Sequence, residues 1–213
     1  MHRPMATRAV FCDALGTLVE LDPPWTHLAA ALGVEPDERL IAAVRAEMSY
    51  YRAHAQEGTD EAALAELRAR CAALLSRELG REVGVETLLA SIRFRAYDVA
   101  PALERLRSDG LRLVCVSNWD VSLTDVLARC GLDGLLDGVV SSAGAGARKP
   151  DPAIFAPALA LAGCAPAEAI HVGDTAAEDV AGARAAGVVP LLLDRSGGGE
   201  IASLAEIEEH LRP

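Results

Sequence analysis

The sequence predicts an α/β fold, a doubly wound parallel sheet interrupted near its start by an all-helical insert. Three observations predict it. Residues 9–12 form an unbroken apolar run that reads as a buried strand, and it stops at Asp13 before the turn-prone Ala14-Leu15-Gly16-Thr17. Residues 19–94 carry apolar positions at helical spacing and no convincing strand pattern. From Tyr97 onward helix and strand patterns alternate, the order that produces parallel strands joined by right-handed crossovers. With 213 residues the chain can bury one sizeable core and still carry a smaller subdomain. The predicted boundaries are 1–18 and 95–213 for the sheet core and 19–94 for the helical insert.

Taken in order, Pro23-Pro24 opens the insert, and a short helix is expected over 25–32, ended by Gly33. A second helix, 36–54, spaces Leu40, Ile41, Val44, Met48 and Tyr51 along one side and is broken at Gly58. Thr59 caps a third, which keeps Leu64, Leu67, Cys71, Leu74 and Leu75 on one face as far as Gly80. Residues 85–95 give the fourth. About 75 residues of helix are few for a free-standing domain but enough for a lid. The alternating region then reads as a helix over 101–109, a strand over 111–116 ending at Ser117-Asn118, a helix over 121–130 and a short strand at 139–140. A Gly-rich loop, 143–147, delivers Arg148-Lys149-Pro150. A helix (152–162), a strand (169–173), a helix (176–186), a strand (188–193), a mobile surface loop (196–199) and a terminal helix (200–211) complete the chain, with no internal repeat.

Composition narrows the function classes. Half of the residues are hydrophobic but only 4% are aromatic, so Ala, Leu and Val must pack helices closely against a flat partner. A formal net charge of −11 repels phosphate backbones and anionic membranes at long range, and no local basic patch offsets it. Nucleic-acid and membrane partners are therefore not expected, whereas a small anionic substrate held by local charges is. Five scattered cysteines form no Cys-x-x-Cys pair or metal-ligand spacing, which suits a reducing cytoplasm. The first ten residues lack the apolar centre of an export signal, and the apolar stretch 153–170 is interrupted by Pro157, Pro166 and Glu168, so it reads as a packed helix and turn. No pattern assigns an oligomeric state.

Polar groups stand after four successive predicted strands: Asp13, Ser117, the Lys149 loop, and Gly173-Asp174. In an open α/β sheet these ends share one edge, where ligands bind. Asp174 also begins Gly-Asp-x-x-x-x-Asp, which sets Asp179 one turn into the next helix and over the same crevice. Three carboxylates brought together there call for a cation, and a few oxygens plus water is how Mg²⁺ is held. A carboxylate that attacks phosphorus needs the phosphoryl charge screened, which Mg²⁺ and a lysine supply. Lys149 is the one lysine among twenty cationic residues, and a compact ammonium between carboxylates and a phosphate does what a planar guanidinium does poorly. Asp13 is the predicted nucleophile, Lys149 and Ser117 its catalytic partners, and Thr17, Asn118 and Trp119 the predicted substrate contacts.

These motifs carry a resemblance. Asp13-Ala14-Leu15-Gly16-Thr17-Leu18, Val116-Ser117-Asn118, Lys149-Pro150-Asp151-Pro152-Ala153-Ile154-Phe155 and Val172-Gly173-Asp174-Thr175-Ala176-Ala177-Glu178-Asp179 resemble, in order and spacing, the haloacid dehalogenase superfamily. The similarity is to the subfamily with a helical cap after the first strand. It implies a Rossmann-like core, a four-helix-type cap closing over the site, and an aspartyl-enzyme intermediate hydrolysed by water. It also implies Mg²⁺ held by Asp13, Asp174, Asp179 and the backbone carbonyl of Leu15. Phosphatases of the family place a second Asp, a general acid and base, two residues after the nucleophile, where this chain has Leu15. The family's 2-haloacid dehalogenases lack that Asp as well, but they use no metal, lack the Gly-Asp-x-x-x-x-Asp arrangement, and have a tyrosine where Phe155 stands. The expectation is a Mg²⁺-dependent phosphatase of small phosphorylated metabolites. A 2-haloacid dehalogenase and a non-catalytic metal- and phosphate-binding member are the alternatives.

Each residue also has a plainer reading. Asp13 alone is equally a turn former, Ser117-Asn118 a helix cap, Asp174 a turn and Asp179 a surface acid; their shared order decides for the site. Arg148 reads as a solvated or structural charge, His171 as a satisfied core histidine, and Trp25 as a packing anchor. Tyr50, Tyr51, Arg52 and His54 share one helix, of which only one side can face the crevice, and Trp119 and Asp120 are better placed to touch substrate.

Overall fold

The computed structural model describes residues 6–211. The outermost residues of the predicted 1–18 and 95–213 segments, and half of the ten-residue N-terminal stretch, lie outside the described residues. Strand β1 (Ala9–Cys12) is buried on both faces because it is the centre of a five-stranded sheet. Residues 13–18 turn the chain into β2 (Val19–Leu21), followed by α1 (Pro24–Leu32), α2 (Glu38–His54), α3 (Glu61–Leu79), α4 (Val85–Ser91) and β3 (Phe94–Ala96). The chain then alternates through α5 (Ala100–Ser108), β4 (Arg112–Ser117), α6 (Leu123–Arg129), β5 (Gly138–Ser141), α7 (Ser142–Ala145), α8 (Phe155–Ala162), β6 (Ala169–Gly173), α9 (Ala181–Ala185) and β7 (Val189–Leu192).

The sheet order is β5-β4-β1-β6-β7, and every neighbouring pair is parallel. The predicted doubly wound sheet is therefore observed. Its alternation sorts the core: Val10, Cys12, Leu113 and Cys115 face one layer with Leu103, Leu106, Leu123 and Leu127. Ala9, Phe11, Val114 and Val116 face the other, with Ile154, Phe155, Ala158 and Ala183. Helices α1–α4 have a core of their own, built from Leu28, Leu40, Val44, Leu67, Cys71, Leu75 and Leu88. Trp25 packs against that cluster, as expected of an anchor. Among the described residues no helix is long and apolar enough to cross a membrane.

Several boundaries differ from the pattern reading. The stretch 19–94 is not free of strands: β2 and β3 pair antiparallel, Val19 opposite Ala96 and Leu21 opposite Phe94, and carry the chain into and out of the helices. Three residues are too few for a period of two to stand out. The helix expected over 85–95 stops at Ser91, where Ile92 turns extended and leads into β3. Asp60, not Thr59, caps α3, its carboxylate accepting from the Ala63 N–H, and Asp37 caps α2 through the Leu40 N–H. The Gly-rich loop contains a single helical turn, α7, and the terminal helix is a 3-10 helix over Leu204–His210, with Ile201 bridged to Leu193 instead. The loop at 196–199 is fastened at its start, where the Asp194 carboxylate accepts from Ser196 N–H and hydroxyl.

Candidate active site

The parallel sheet brings the predicted strand-end residues to one edge. Asp13 follows β1 directly, its N–H donating to the Val172 carbonyl at 2.8 Å. Ser117, the last residue of β4, donates its hydroxyl to Asp13 Oδ1 at 2.8 Å. Lys149 Nζ reaches Asp13 Oδ1 and Asp179 Oδ1, each at 2.5 Å. Asp174 follows β6, and a π-helical turn over Ala176–Val180 swings Asp179 back over the strand end. Oxygens of Asp13, Asp174 and Asp179 all lie within 4.8 Å of one another. Two glycines permit this approach. A Cβ on Gly173 would stand 2.1 Å from Asp179 Cγ, and one on Gly16, whose φ is +89°, would stand 2.0 Å from Asp174 Oδ2.

Burial sets the electrostatics. Lys149 is 1% exposed, and desolvation disfavours its charged form, but the charges of Asp13 and Asp179 overcome this and hold the ammonium above its ordinary value. Asp179 is pushed up by burial, yet its hydrogen bond to His171 and the charge of Lys149 bring it below the usual carboxylate range. Asp13 is raised, by burial first and by Asp179 besides, despite Lys149 and Ser117. Packing and the Asp13 charge raise Asp174 as well, although its outer edge meets solvent. Asp13 and Asp179 thus share one lysine, Asp174 has no ion-pair partner among the described residues, and the cluster is short of positive charge. An all-oxygen set at this spacing, open to solvent through Asp174, fits a hard divalent cation.

The other predicted residues fall into three groups. Leu15 and Trp119 line a cavity of about 1010 Å³ whose floor holds Asp13, Ser117, Lys149, Asp174 and Asp179. The Trp119 ring tilts against Phe94, with centroids 5.1 Å apart. Asn118 also lines this cavity, but its side chain is engaged with protein. Its Oδ1 accepts from the Lys149 N–H at 2.7 Å, and its Nδ2 donates to the Lys149 carbonyl at 3.0 Å and to Glu178 at 2.9 Å, so it positions the lysine. Thr17 lies away from the cavity lining. It is fully buried, its hydroxyl has no hydrogen-bond partner, and its carbonyl accepts from Arg195 at 2.8 Å. Its hydroxyl is enclosed by protein, whereas the other two predicted substrate contacts, Asn118 and Trp119, line the cavity.

His171 is half satisfied: one ring nitrogen lies 2.9 Å from Asp179 Oδ1, while Nδ1 has no partner. Arg148, read from the sequence as a solvated or structural charge, pairs with Glu178 at 3.5 Å and also lines the cavity. Of the α2 cluster, Tyr50 stacks on His54 at 4.0 Å, and Tyr51 donates its hydroxyl to Asp120 Oδ2 at 2.7 Å. That bond joins α2 to the loop after β4, and Val121 N–H to the Gly58 carbonyl at 3.0 Å joins it again. Glu47 and Arg68, cavity-lining residues of α2 and α3, were not singled out by the sequence pattern. No motif marks them, since only the rotation of each helix turns them inward.

The family described as "Hydrolase: haloacid dehalogenase-like hydrolase" matches residues 7–187. The chain belongs to this family. Its haloacid dehalogenase-like relatives include haloacid dehalogenase-like hydrolase domain-containing protein 3 of Bos taurus, 45% identical over 43% of this chain and 36% of that protein. A phosphoserine phosphatase of Thermus thermophilus is 38% identical over 55% of this chain and 48% of its own length. The chain spans little more than a third of the first of these relatives. In structure, an L-2-haloacid dehalogenase from Xanthobacter autotrophicus superposes with a TM-score of 0.70 at 21% identity, over 95% of this chain and 97% of that one, which establishes a shared fold.

Proposed function

We propose that this haloacid dehalogenase-like chain is a Mg²⁺-dependent phosphatase of small phosphorylated metabolites, with Asp13 as nucleophile. The observation that carries the reading is the cluster of Asp13, Asp174 and Asp179 around Lys149 beneath a solvent-open cavity. Asp13, Asp174, Asp179 and the Leu15 carbonyl would hold Mg²⁺, which when bound supplies positive charge against the phosphoryl oxygens. Ser117 and Lys149 both engage Asp13 Oδ1, orienting the carboxylate and leaving Oδ2 without a donor among the described residues. An Asp13 oxygen attacks phosphorus, the ester oxygen leaves with its bonding electrons, and water then cleaves the aspartyl phosphate to return the carboxylate and release phosphate. Asn118 and Glu178 keep the Lys149 loop in register. Helices α1–α4 act as the cap over residues 19–94, latched to the core by Tyr51 and Asp120. Five free cysteines support a reducing, cytoplasmic setting.

Hydrolysis of p-nitrophenyl phosphate tests the reading. Release of p-nitrophenol is expected with Mg²⁺, to vanish with EDTA, and to fall at least about 10³-fold in Asp13→Asn; turnover that survives in Asp13→Asn overturns it. Leu15 favours one competitor, a 2-haloacid dehalogenase, because halide needs no proton on departure. Halide release from 2-chloropropionate that is indifferent to EDTA would establish that activity instead. Binding of Mg²⁺ and phosphate with no turnover across a phosphate panel would mark a non-catalytic member.

A further inference from the structure

The cavity above Asp13, about 1010 Å³, exceeds what a phosphoryl group fills, and helices α2–α4 build its far wall. Most charged groups that line the cavity already have partners. Lys149 has Asp13 and Asp179, Arg148 has Glu178, and Asp120 accepts from Tyr51 and Ser122. Arg68 differs. It is half-buried on α3, lines the cavity near Tyr51, and forms no hydrogen bond or ion pair among the described residues. Arg52, next to Tyr51 on α2, also lines the cavity without a partner, nearer to solvent.

A guanidinium drawn half out of water loses hydration that nothing here returns. The chain has 31 acidic residues against 20 basic ones, so a carboxylate partner was available in composition and is not used. The planar fork of an arginine matches a carboxylate or a phosphate bidentately. We infer that Arg68, assisted by Arg52, is the subsite for a second anionic group on the substrate, a carboxylate or a further phosphate carried by the leaving group. Met48, Phe94 and Trp119 supply apolar wall for a hydrocarbon spacer between the two ends. The ligand is thus a phosphate ester with an anion at each end. The inference rests on the phosphatase reading for the phosphoryl end alone.

Calorimetric titration of the whole chain in Mg²⁺ with three non-hydrolysable phosphonates separates the possibilities. The probes are (4-ethylbenzyl)phosphonate, its analogue ending in a carboxylate, [4-(2-carboxyethyl)benzyl]phosphonate, and 1,4-xylylene bisphosphonate. At least one doubly anionic probe is expected to bind about tenfold more tightly than the ethyl compound, and which one does so distinguishes carboxylate from phosphate. In Arg68→Met that ratio should fall below about twofold. Equal affinities in the unmodified chain, or a ratio that survives in Arg68→Met, overturn the subsite, and the first comparison needs no variant to fold. Turnover of p-nitrophenyl phosphate is followed in parallel. Turnover without the preference rejects the subsite alone, and the preference without turnover rejects the phosphatase reading alone.

Discussion

Leu15 stands half-buried on the cavity wall two residues beyond Asp13, where a phosphatase of this family would present an acid. Nothing in its side chain can protonate a departing alkoxide. General acid assistance is typically worth about 10²–10⁴-fold, and the loss falls hardest on poor leaving groups. An aryl phosphate leaves as a stabilised phenolate and should be spared. Introducing Leu15→Asp is therefore expected to raise kcat on glycerol phosphate by at least about tenfold while changing that on p-nitrophenyl phosphate far less. Steady-state kinetics on the two esters checks this, and equal changes on both would show that Leu15 is not what limits alkyl esters. The strand-end acids were legible in the sequence because each sits in a contiguous motif whose strand is wholly buried. The place of Thr17 off the cavity lining was not legible, because it depends on the turn at Gly16, a backbone property that the residue type permits without specifying.

At the scale of elements, α2 places Glu47 4% exposed between the insert's core and the cavity, beside Cys71 of α3. Burial raises its carboxyl above the ordinary value, although a hydrogen bond with Cys71 opposes the shift. A carboxyl whose folded value lies above its unfolded one binds more protons in the native state. Its contribution is favourable below the ordinary Glu range and is lost as pH rises through the raised folded value. Glu47→Gln removes that penalty, so melting temperatures of variant and parent should agree near pH 4 and separate in favour of the variant near pH 8. Each kcal/mol regained shifts Tm by about 2–4 °C in a chain of this size. A variant that melts lower at pH 8 would mean the ionised carboxylate is needed in place. Neither this burial nor the Tyr51–Asp120 bond across 69 residues could be read from spacing, since helical periodicity fixes which residues share a face and not what the face meets. The β2–β3 ribbon escaped for a related reason: its strands are defined by pairing with each other over three residues each, and their own pattern is too short.

For the whole molecule, a chain of net charge −11 gathers three carboxylates at one sheet edge and offers them a single buried ammonium. Without a cation this arrangement costs stability, because Asp174 is held above its ordinary value by packing and by Asp13. A ligand that binds the native state alone stabilises it by about 2.7 kcal/mol at a hundredfold excess over Kd, roughly 5–10 °C here. Thermal melts in EDTA and in rising Mg²⁺ should show that increase. The more discriminating measurement is Asp174→Asn, in which relief of repulsion and loss of the cation act in opposite directions. In EDTA the variant should melt above the parent, since an unfavourable charge has gone, while the rise with Mg²⁺ should largely disappear. If Asp174→Asn melts lower in EDTA, Asp174 serves the fold and not a cation. If the Mg²⁺ response is retained in full, the cation binds elsewhere and the cluster under Lys149 must be neutralised by protonation alone.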